Sequence, residues 1–164
     1  MNPNSKVGGA GASGLKRFAF GATAAVMTSM ALIVGLGSAN TGKASIIAGL
    51  LIIGLADNLS DSLGIHIHEE TDSGSADALA LSVSNYVTRL LLVGTFVAFV
   101  ALLPFGAARL ASLVWGVILL SALTYSIAKA RSANPVTQIA LHLVVAAAVI
   151  LLSQAVGEII KRML

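Results

Sequence analysis

The sequence predicts an all-α membrane protein with five transmembrane helices. Two observations support this fold class: 57% of the 164 residues are hydrophobic, and only 10% are charged. A soluble domain usually carries about 25% charged residues. A spanning helix needs roughly 20 apolar residues, so five such helices occupy most of the chain and leave only tails and short loops. We therefore expect one membrane domain, residues 18–164, preceded by a disordered tail, residues 1–17.

The first span is predicted at residues 18–37, after a tail whose Gly, Ser and Asn content is typical of disorder. Lys16 and Arg17 precede the apolar run, an order that also occurs in signal peptides. The apolar core of a signal peptide is shorter, about 7–15 residues, and ends at a small-residue cleavage site. The length of the run therefore favours a retained helix over a cleaved signal.

Turn-forming residues separate the other spans. These four spans are predicted at residues 44–65, 84–104, 109–128 and 136–159. Residues 38–43 (SANTGK) form the first break, Pro104 ends the third span, and Pro135 suits the first turn of the last helix. The longest internal loop is predicted at residues 66–83, where the second half is either loop or an early extension of the third helix.

The distribution of Lys and Arg predicts the orientation of the chain. With the N-terminus in the cytoplasm, more of these residues fall on the inner side than on the outer side, as the positive-inside rule requires. The same bias explains the net charge of +3, so no nucleic-acid partner is expected. A single chain without a long targeting segment is expected in a plasma (inner) membrane, where its partner is the lipid bilayer.

Polar residues interrupt the second span and mark a candidate ion pathway. Asp57, Asn58 and Asp61 lie in an otherwise apolar run, although an ionisable residue in a span costs about 2.5–3.5 kcal/mol on insertion scales. Asp57 and Asp61 are four residues apart and share one helix face. The alternative interpretation is structural: Asp57 pairs with Arg89 or another buried polar group and holds two helices together.

A second candidate site follows directly after this span. His66, His68, Glu69 and Glu70 combine imidazoles with carboxylates, which are ligands for Mn²⁺, Fe²⁺ and Zn²⁺. The chain has no cysteine, so thiolate sites are excluded. We predict that these four residues bind a metal at the mouth of the pathway, and the alternative is an ordinary solvated loop. No permanently bound cofactor is expected.

Enzymatic activity is not expected. No nucleophile–base arrangement, phosphate-binding loop or zinc-protease motif occurs in the sequence. His142 stands alone in the fifth span, where a hydrogen bond between helices is the more common role of such a residue.

The second span also carries a distinctive stretch, residues 48–63 (AGLLIIGLADNLSDSL). It resembles the second helix of the vacuolar iron transporter family, which has a Gly-Leu-Ala-(Asp/Asn)-x-x-(Ser/Ala)-(Asp/Met)-like stretch there. Residues 21–29 resemble the first helix of the family, residues 101–105 (ALLPF) resemble the end of its third, and residues 134–157 resemble its fifth. The likeness extends over most of residues 18–160.

The resemblance implies a homodimer of five-helix subunits that moves Fe²⁺ or Mn²⁺ out of the cytosol in exchange for protons. Asp57 and Asp61 match family positions and are carried over as pathway residues. The family's helix-one Asp and helix-two Met fall on Ala24 and Ile65 here, and its cytosolic metal-binding segment is reduced to residues 66–83. The chain therefore resembles a short, divergent, bacterial-type member without the cytosolic metal-binding helices.

Two functions follow as expectations. The first is a carrier that exchanges a divalent metal ion for protons through Asp57, Asn58 and Asp61. The second is a non-transporting scaffold or regulatory protein that keeps the fold, which Ala24 and Ile65 would favour because they replace the two residues on which the family's mechanism depends.

Overall fold

The structure is a computed structural model that describes residues 5–73 and 75–163, with side chains described over 21–68 and 78–163. The described chain consists of helices joined by short turns. They are α1 (Ser5–Ser38), α2 (Lys43–Ile52), a π-helical turn (Ile53–Asp57), α3 (Asn58–Ser73), α4 (Ser75–Leu102), α5 (Phe105–Ala130) and α6 (Pro135–Met163). The second of these helices, the π-helical turn and α3 follow one another without a break and form one long helix.

Five helical segments are long and apolar enough to cross a membrane, which confirms the predicted fold class. The segments are Gly21–Ser38, Lys43–His68, Ala78–Leu102, Phe105–Ala130 and Pro135–Met163. A helix satisfies its backbone hydrogen bonds internally, so apolar runs of this length are helical in lipid. The chain is therefore an integral membrane protein.

The helices extend beyond the apolar runs. The first half of the loop predicted at residues 66–83 is therefore wrong, whereas the alternative for its second half, an early extension of the third helix, is confirmed. α3 continues to Ser73 and α4 begins at Ser75, and the two helices pack against each other as an antiparallel hairpin. Hydropathy identifies only the part of a helix that lies in lipid, and no proline interrupts this stretch. Similarly, α1 begins at Ser5, within the predicted tail 1–17, because extending an existing helix costs little.

α1 is the central helix of the bundle. It packs against α2, α4, α5 and α6, and 44% of its spanning segment is buried, compared with 6% for α6. Its apolar side chains join those of the other spans in one core. The core contains Ala25, Val26, Met30, Ile33, Ile46, Leu50, Val93, Phe96, Val100, Leu120 and Ala146. Small residues allow this close approach, as where Met30 of α1 packs directly on Gly116 of α5.

Lys43 connects the turn between α1 and α2 with the end of α4. Its Nζ donates hydrogen bonds to the carbonyl oxygens of Leu103 at 2.9 Å and Ala101 at 3.2 Å. The last carbonyls of a helix have no partner within the helix and carry the negative end of its dipole. The turn itself is closed by Asn40, whose φ of 59° is the left-handed conformation common after a helix end. Lys43 therefore fixes two turns at one end of the bundle.

Candidate functional site

The candidate site begins at the π-helical turn in the middle of the second span. The backbone N–H of Asn58 donates to the carbonyl of Ile53, five residues earlier, instead of the carbonyl four residues earlier. Turns of this type are rare, and they occur frequently at functional sites. Here the turn ends at Asp57 and is followed at once by Asn58, so the local change in helix geometry coincides with the polar residues of the span.

The π-helical turn determines which side chains face the interior of the bundle. Ile46, Leu50, Gly54, Asn58 and Ser62 are all buried, at a spacing of four residues. An α-helix turns about 100° per residue, so each four-residue step rotates the buried face by roughly 40°. The additional residue of the π-helical turn cancels about 100° of this rotation. Polar residues Asn58 and Ser62 therefore lie on the same face as apolar Ile46 and Leu50.

α4 supplies the opposite face of the site. Its buried positions repeat at three and four residues, as expected for a helix that packs along its whole length. They are Ala78, Ser82, Asn85, Arg89, Val93, Phe96 and Val100. A methyl group on Gly54 would lie 3.1 Å from Cγ1 of Val93, so a glycine at this position lets the π-helical turn approach α4 closely. The polar members of this row, Asn85 and Arg89, thus meet the polar residues that follow the turn.

Arg89 is the centre of the site. Its Nη1 donates a hydrogen bond to Oδ2 of Asp61, and its Nη2 lies 3.6 Å from Oδ2 of Asp57. The side chain of Arg89 is only 1% exposed. A buried charge is costly unless it is paired, and two carboxylates supply this compensation. The structure thus shows the pairing of Asp57 with Arg89, which was the structural alternative, and adds Asp61 to it.

A neutral pair extends the site towards α1. Asn85 donates from Nδ2 to Oγ of Ser62 at 3.3 Å. Gly21 of α1 leaves room for these side chains, since a methyl group there would lie 2.8 Å from Oδ1 of Asn85 and 3.2 Å from Cδ of Arg89. Three helices therefore enclose the buried side of the arginine.

Four buried polar atoms in this cluster make no hydrogen bond with another described residue. They are Nδ2 of Asn58, Oδ1 of Asn85, and Nε and Nη2 of Arg89. Buried polar atoms normally have a partner, and in a membrane an unpaired one is especially costly. The cluster therefore has the capacity to bind a further polar species, such as water or an ion.

The two carboxylates lie at the surface of the protein. The side chains of Asp57 and Asp61 are 55% and 47% exposed. Leu55, Leu59 and Leu63 are also exposed on the same helical stretch, which belongs to a membrane-spanning segment. Carboxylates within a span normally face the interior of a bundle or a water-filled cavity. This face of the protein therefore needs polar surroundings that cover it.

The predicted metal ligands lie further along α3. His66 is half-buried and His68 is exposed, while the side chains of Glu69 and Glu70 lie outside the described residues. Among the described side chains, no three potential metal ligands lie together. The metal site at these four residues therefore stays a prediction.

The two positions at which the chain departs from the family pattern are both apolar and half-buried. Ala24 lies on α1, one turn after Gly21, and Ile65 lies on α3, one turn after Asp61. Gly21 of α1 is next to Arg89 and Asn85. Because α1 has an alanine at position 24, the charged side chains near this part of α1 belong to α3 and α4.

Most of the α4 side of the site and one residue of α3 were not predicted from the sequence. Arg89 was considered only as one possible partner of Asp57, and neither Asn85 of α4 nor Ser62 of α3 was identified. A single basic residue in an apolar span is a signal that could have identified Arg89, since such residues are costly and are usually paired.

Comparison with known proteins does not identify a relative. No protein-family model, curated protein or solved structure matches the chain. The likeness to vacuolar iron transporters therefore rests on the sequence stretches quoted above, and the geometry around Arg89 is an independent basis for a function.

Proposed function

We propose that the protein is a carrier that moves a divalent cation, Fe²⁺ or Mn²⁺, across the bilayer in exchange for protons. The observation that carries this proposal is the contact of one buried guanidinium, Arg89, with two carboxylates, Asp57 and Asp61, within a membrane span. Intramembrane carboxylates of this kind usually belong to ion or proton pathways. Oxygen ligands also suit Mn²⁺ and related divalent ions.

Arg89 acts in this mechanism as an internal substitute for the transported ion. In the absence of metal, its guanidinium neutralises part of the negative charge of Asp57 and Asp61. An entering cation competes for the same oxygen atoms. Asn58 follows Asp57 in the sequence, and its buried Nδ2 has no hydrogen-bond partner among the described residues. The guanidinium remains protonated throughout, so the variable charges are those of the metal ion and of protons on the carboxylates.

A homodimer would complete the site. The half-exposed carboxylates need a polar covering, and a twofold axis places the same face of a second copy opposite them. Two copies bring together four carboxylates and two guanidinium groups, with a net charge of minus two when all are ionised. One divalent cation or two protons would neutralise this charge. The proposed exchange is therefore one metal ion for two protons.

The predicted His/Glu cluster fits this proposal as the inner mouth of the pathway. His66 and His68 lie on α3, the helix that also carries Asp61. Glu69 and Glu70 follow in the sequence. In the proposed orientation the N-terminus is cytoplasmic, the membrane is the plasma membrane, and this end of α3 faces the cytoplasm.

Transport by proteoliposomes tests the function. Vesicles containing the protein and an internal pH indicator are exposed to an Mn²⁺ gradient, and we expect Mn²⁺-dependent proton movement. Asp61→Asn should abolish it, because the variant removes the carboxylate that Arg89 contacts directly. The matched control is Glu158→Gln, which neutralises a half-buried acid on α6. Absence of proton movement with Mn²⁺, Fe²⁺ and Zn²⁺ alike would disprove the proposal.

The contact between Arg89 and its carboxylates also supports a second candidate function, a non-transporting scaffold. In this alternative the ion pairs only hold α3 against α4. Calorimetry separates the two functions: a scaffold should release no more heat with Mn²⁺ than a variant in which His66, His68 and Glu69 are replaced by Ala. A carrier should show binding that Asp61→Asn reduces.

A further inference from the structure

A separate cavity of about 210 Å³ lies between α1, α5 and α6, near the turn that joins the last two helices. Its polar lining comes from Thr23, Thr124, Arg131, Gln138 and His142. Sites for drug-sized molecules usually have about 300–1,000 Å³, so this cavity suits a smaller ligand or a single chemical group of a larger one. The residues of the proposed transport site do not line it.

The lining of the cavity is rich in hydrogen-bond donors. Arg131 is an exposed residue that lines the cavity, and its guanidinium has five N–H donors and no acceptor. The hydroxyl and amide side chains among the other lining residues can also donate. Among the described residues that line the cavity, none is Asp or Glu. Such a lining disfavours a metal cation and favours an oxyanion, which accepts several hydrogen bonds at once.

Two side chains of the cavity wall, His142 and Thr124, differ in their hydrogen bonding. The Nδ1 atom of His142 lies 2.8 Å from the carbonyl oxygen of Gln138, so this nitrogen carries the proton and donates within α6. The hydrogen bond between helices that the sequence suggested for His142 is therefore not the bond observed at this nitrogen. Thr124 is 2% exposed, and its hydroxyl makes no hydrogen bond with another described residue.

The backbone that carries Arg131 is held in one conformation. The N–H of Ala133 donates to the carbonyl of Ala128 at 3.0 Å, and Ser132 between them has a φ of 53°. This is the arrangement that commonly closes a helix end. Arg131 therefore starts from a fixed position at the end of α5, where a spanning helix leaves the bilayer.

We propose that this cavity binds a phosphate group at the membrane surface, with Arg131 as the charged ligand and Thr124 as a buried donor. Arginine is the residue that best matches the oxygen atoms of phosphate. Two sources share this chemistry: inorganic phosphate from solution and the headgroup of an anionic phospholipid, which basic pockets between spanning helices often bind. The site is independent of cation transport.

Two binding measurements on the whole protein distinguish the sources. Protein in phosphatidylcholine nanodiscs is titrated with inorganic phosphate and followed by ³¹P NMR. In parallel, native mass spectrometry compares the retention of phosphatidylglycerol with that of phosphatidylcholine. Binding of free phosphate identifies a soluble anion as the ligand, and selective retention of phosphatidylglycerol identifies a lipid headgroup. Either result supports the site, and binding of neither overturns it.

Matched variants locate the ligand. Arg131→Gln should weaken binding by roughly tenfold or more, since it removes charge-assisted hydrogen bonds. Lys129→Gln removes the same charge from an exposed residue of α5 that does not line the cavity, and we expect less than about a twofold change. Equal weakening by both variants would show attraction to surface charge only. Thr124→Val keeps the shape of the side chain and should weaken binding about threefold; unchanged affinity would place the ligand outside the cavity.

Discussion

Arg89 of α4 donates a hydrogen bond from Nη1 to Oδ2 of Asp61 on α3, although only 1% of the arginine side chain is exposed. This contact joins the two arms of the hairpin formed by α3 and α4. It places a positive charge within an apolar span and next to a carboxylate at the surface of the protein. The stability of the hairpin and the binding of cations therefore depend on the same pair of residues.

Arg89→Gln should destabilise the protein. Removing one partner of a buried ion pair costs about 3–5 kcal/mol, and we expect the lower end of this range because both carboxylates are about half exposed. The free energy of unfolding in detergent micelles measures the effect. Lys129→Gln, at an exposed site, should change it by less than about 0.5 kcal/mol.

The double variant Arg89→Gln/Asp61→Asn should be less destabilised than the sum of the two single variants. Residues in direct contact typically show interaction energies of about 0.5–3 kcal/mol in a double-mutant cycle. The cycle with Asp57→Asn should give a smaller value, because Nη2 of Arg89 lies 3.6 Å from Oδ2 of Asp57. Simple additivity in both cycles would contradict the contacts described for Arg89.

Gly21→Ala should disturb the site from the side of α1. The new methyl group would lie 2.8 Å from Oδ1 of Asn85, and this amide cannot move without weakening its hydrogen bond with Ser62. Overpacking of this kind usually costs about 1–3 kcal/mol, measured by the midpoint of thermal unfolding. The control is Gly94→Ala, where no atom lies within 4 Å of the added carbon, and it should be neutral or stabilising because alanine favours a helix.

Lys43→Met should loosen the end of α4 without affecting the site. The variant removes the hydrogen bonds to the carbonyls of Leu103 and Ala101, and we expect a loss of about 1 kcal/mol, below the usual range for charged donors because the contact is partly exposed. Hydrogen exchange should become faster in the last turn of α4 and in the turn between α1 and α2. Lys161→Met, at an exposed position of α6, should leave both rates unchanged.

If the protein exchanges one divalent cation for two protons, transport is electroneutral. Mn²⁺ uptake into proteoliposomes should then be the same at zero potential and at an imposed potential set with valinomycin and K⁺. Acceleration of Mn²⁺ uptake by a negative interior would show that fewer than two protons are exchanged. Such a result would exclude the proposed charge balance of four carboxylates and two guanidinium groups, while leaving cation transport itself intact.

Hydropathy was sufficient to predict the five spans, because the energetic requirement for about 20 apolar residues in lipid is strong and local. It did not predict that α3 continues to Ser73, and it left open whether the second half of residues 66–83 belongs to the next helix. A helix can form in water as well as in lipid, and composition identifies only the part that lies in lipid. Pro104 and Pro135 correctly indicated helix boundaries, since α5 begins directly after Pro104 and α6 begins at Pro135.

The candidate site was predicted only in part. Asp57 and Asp61 were recognisable because charges in an apolar run are rare, and Asn58 is buried beside them. That Arg89 is their common partner depends on how α3 and α4 pack against each other. The spacing of residues within one helix does not predict such a contact. The π-helical turn was not predicted. It is indicated by buried positions that repeat every four residues, and these positions can be recognised only once the structure shows which residues are buried.

The π-helical turn at Ile53–Asp57 also determines which changes in length the second span can accommodate. It contains one residue more than the α-helical turn it replaces, so deleting a residue between Leu50 and Asn58 would restore a regular helix without interrupting it. Because the additional residue contributes almost no net rotation, Asn58, Ser62 and the acidic pair would keep their directions relative to α2. A deletion from the regular part of the helix that kept the π-helical turn would instead rotate all later residues by about 100° and turn Asn58 and Ser62 away from the interior of the bundle. The π-helical turn therefore allows one residue to be lost from this segment without redirecting the carboxylates away from Arg89.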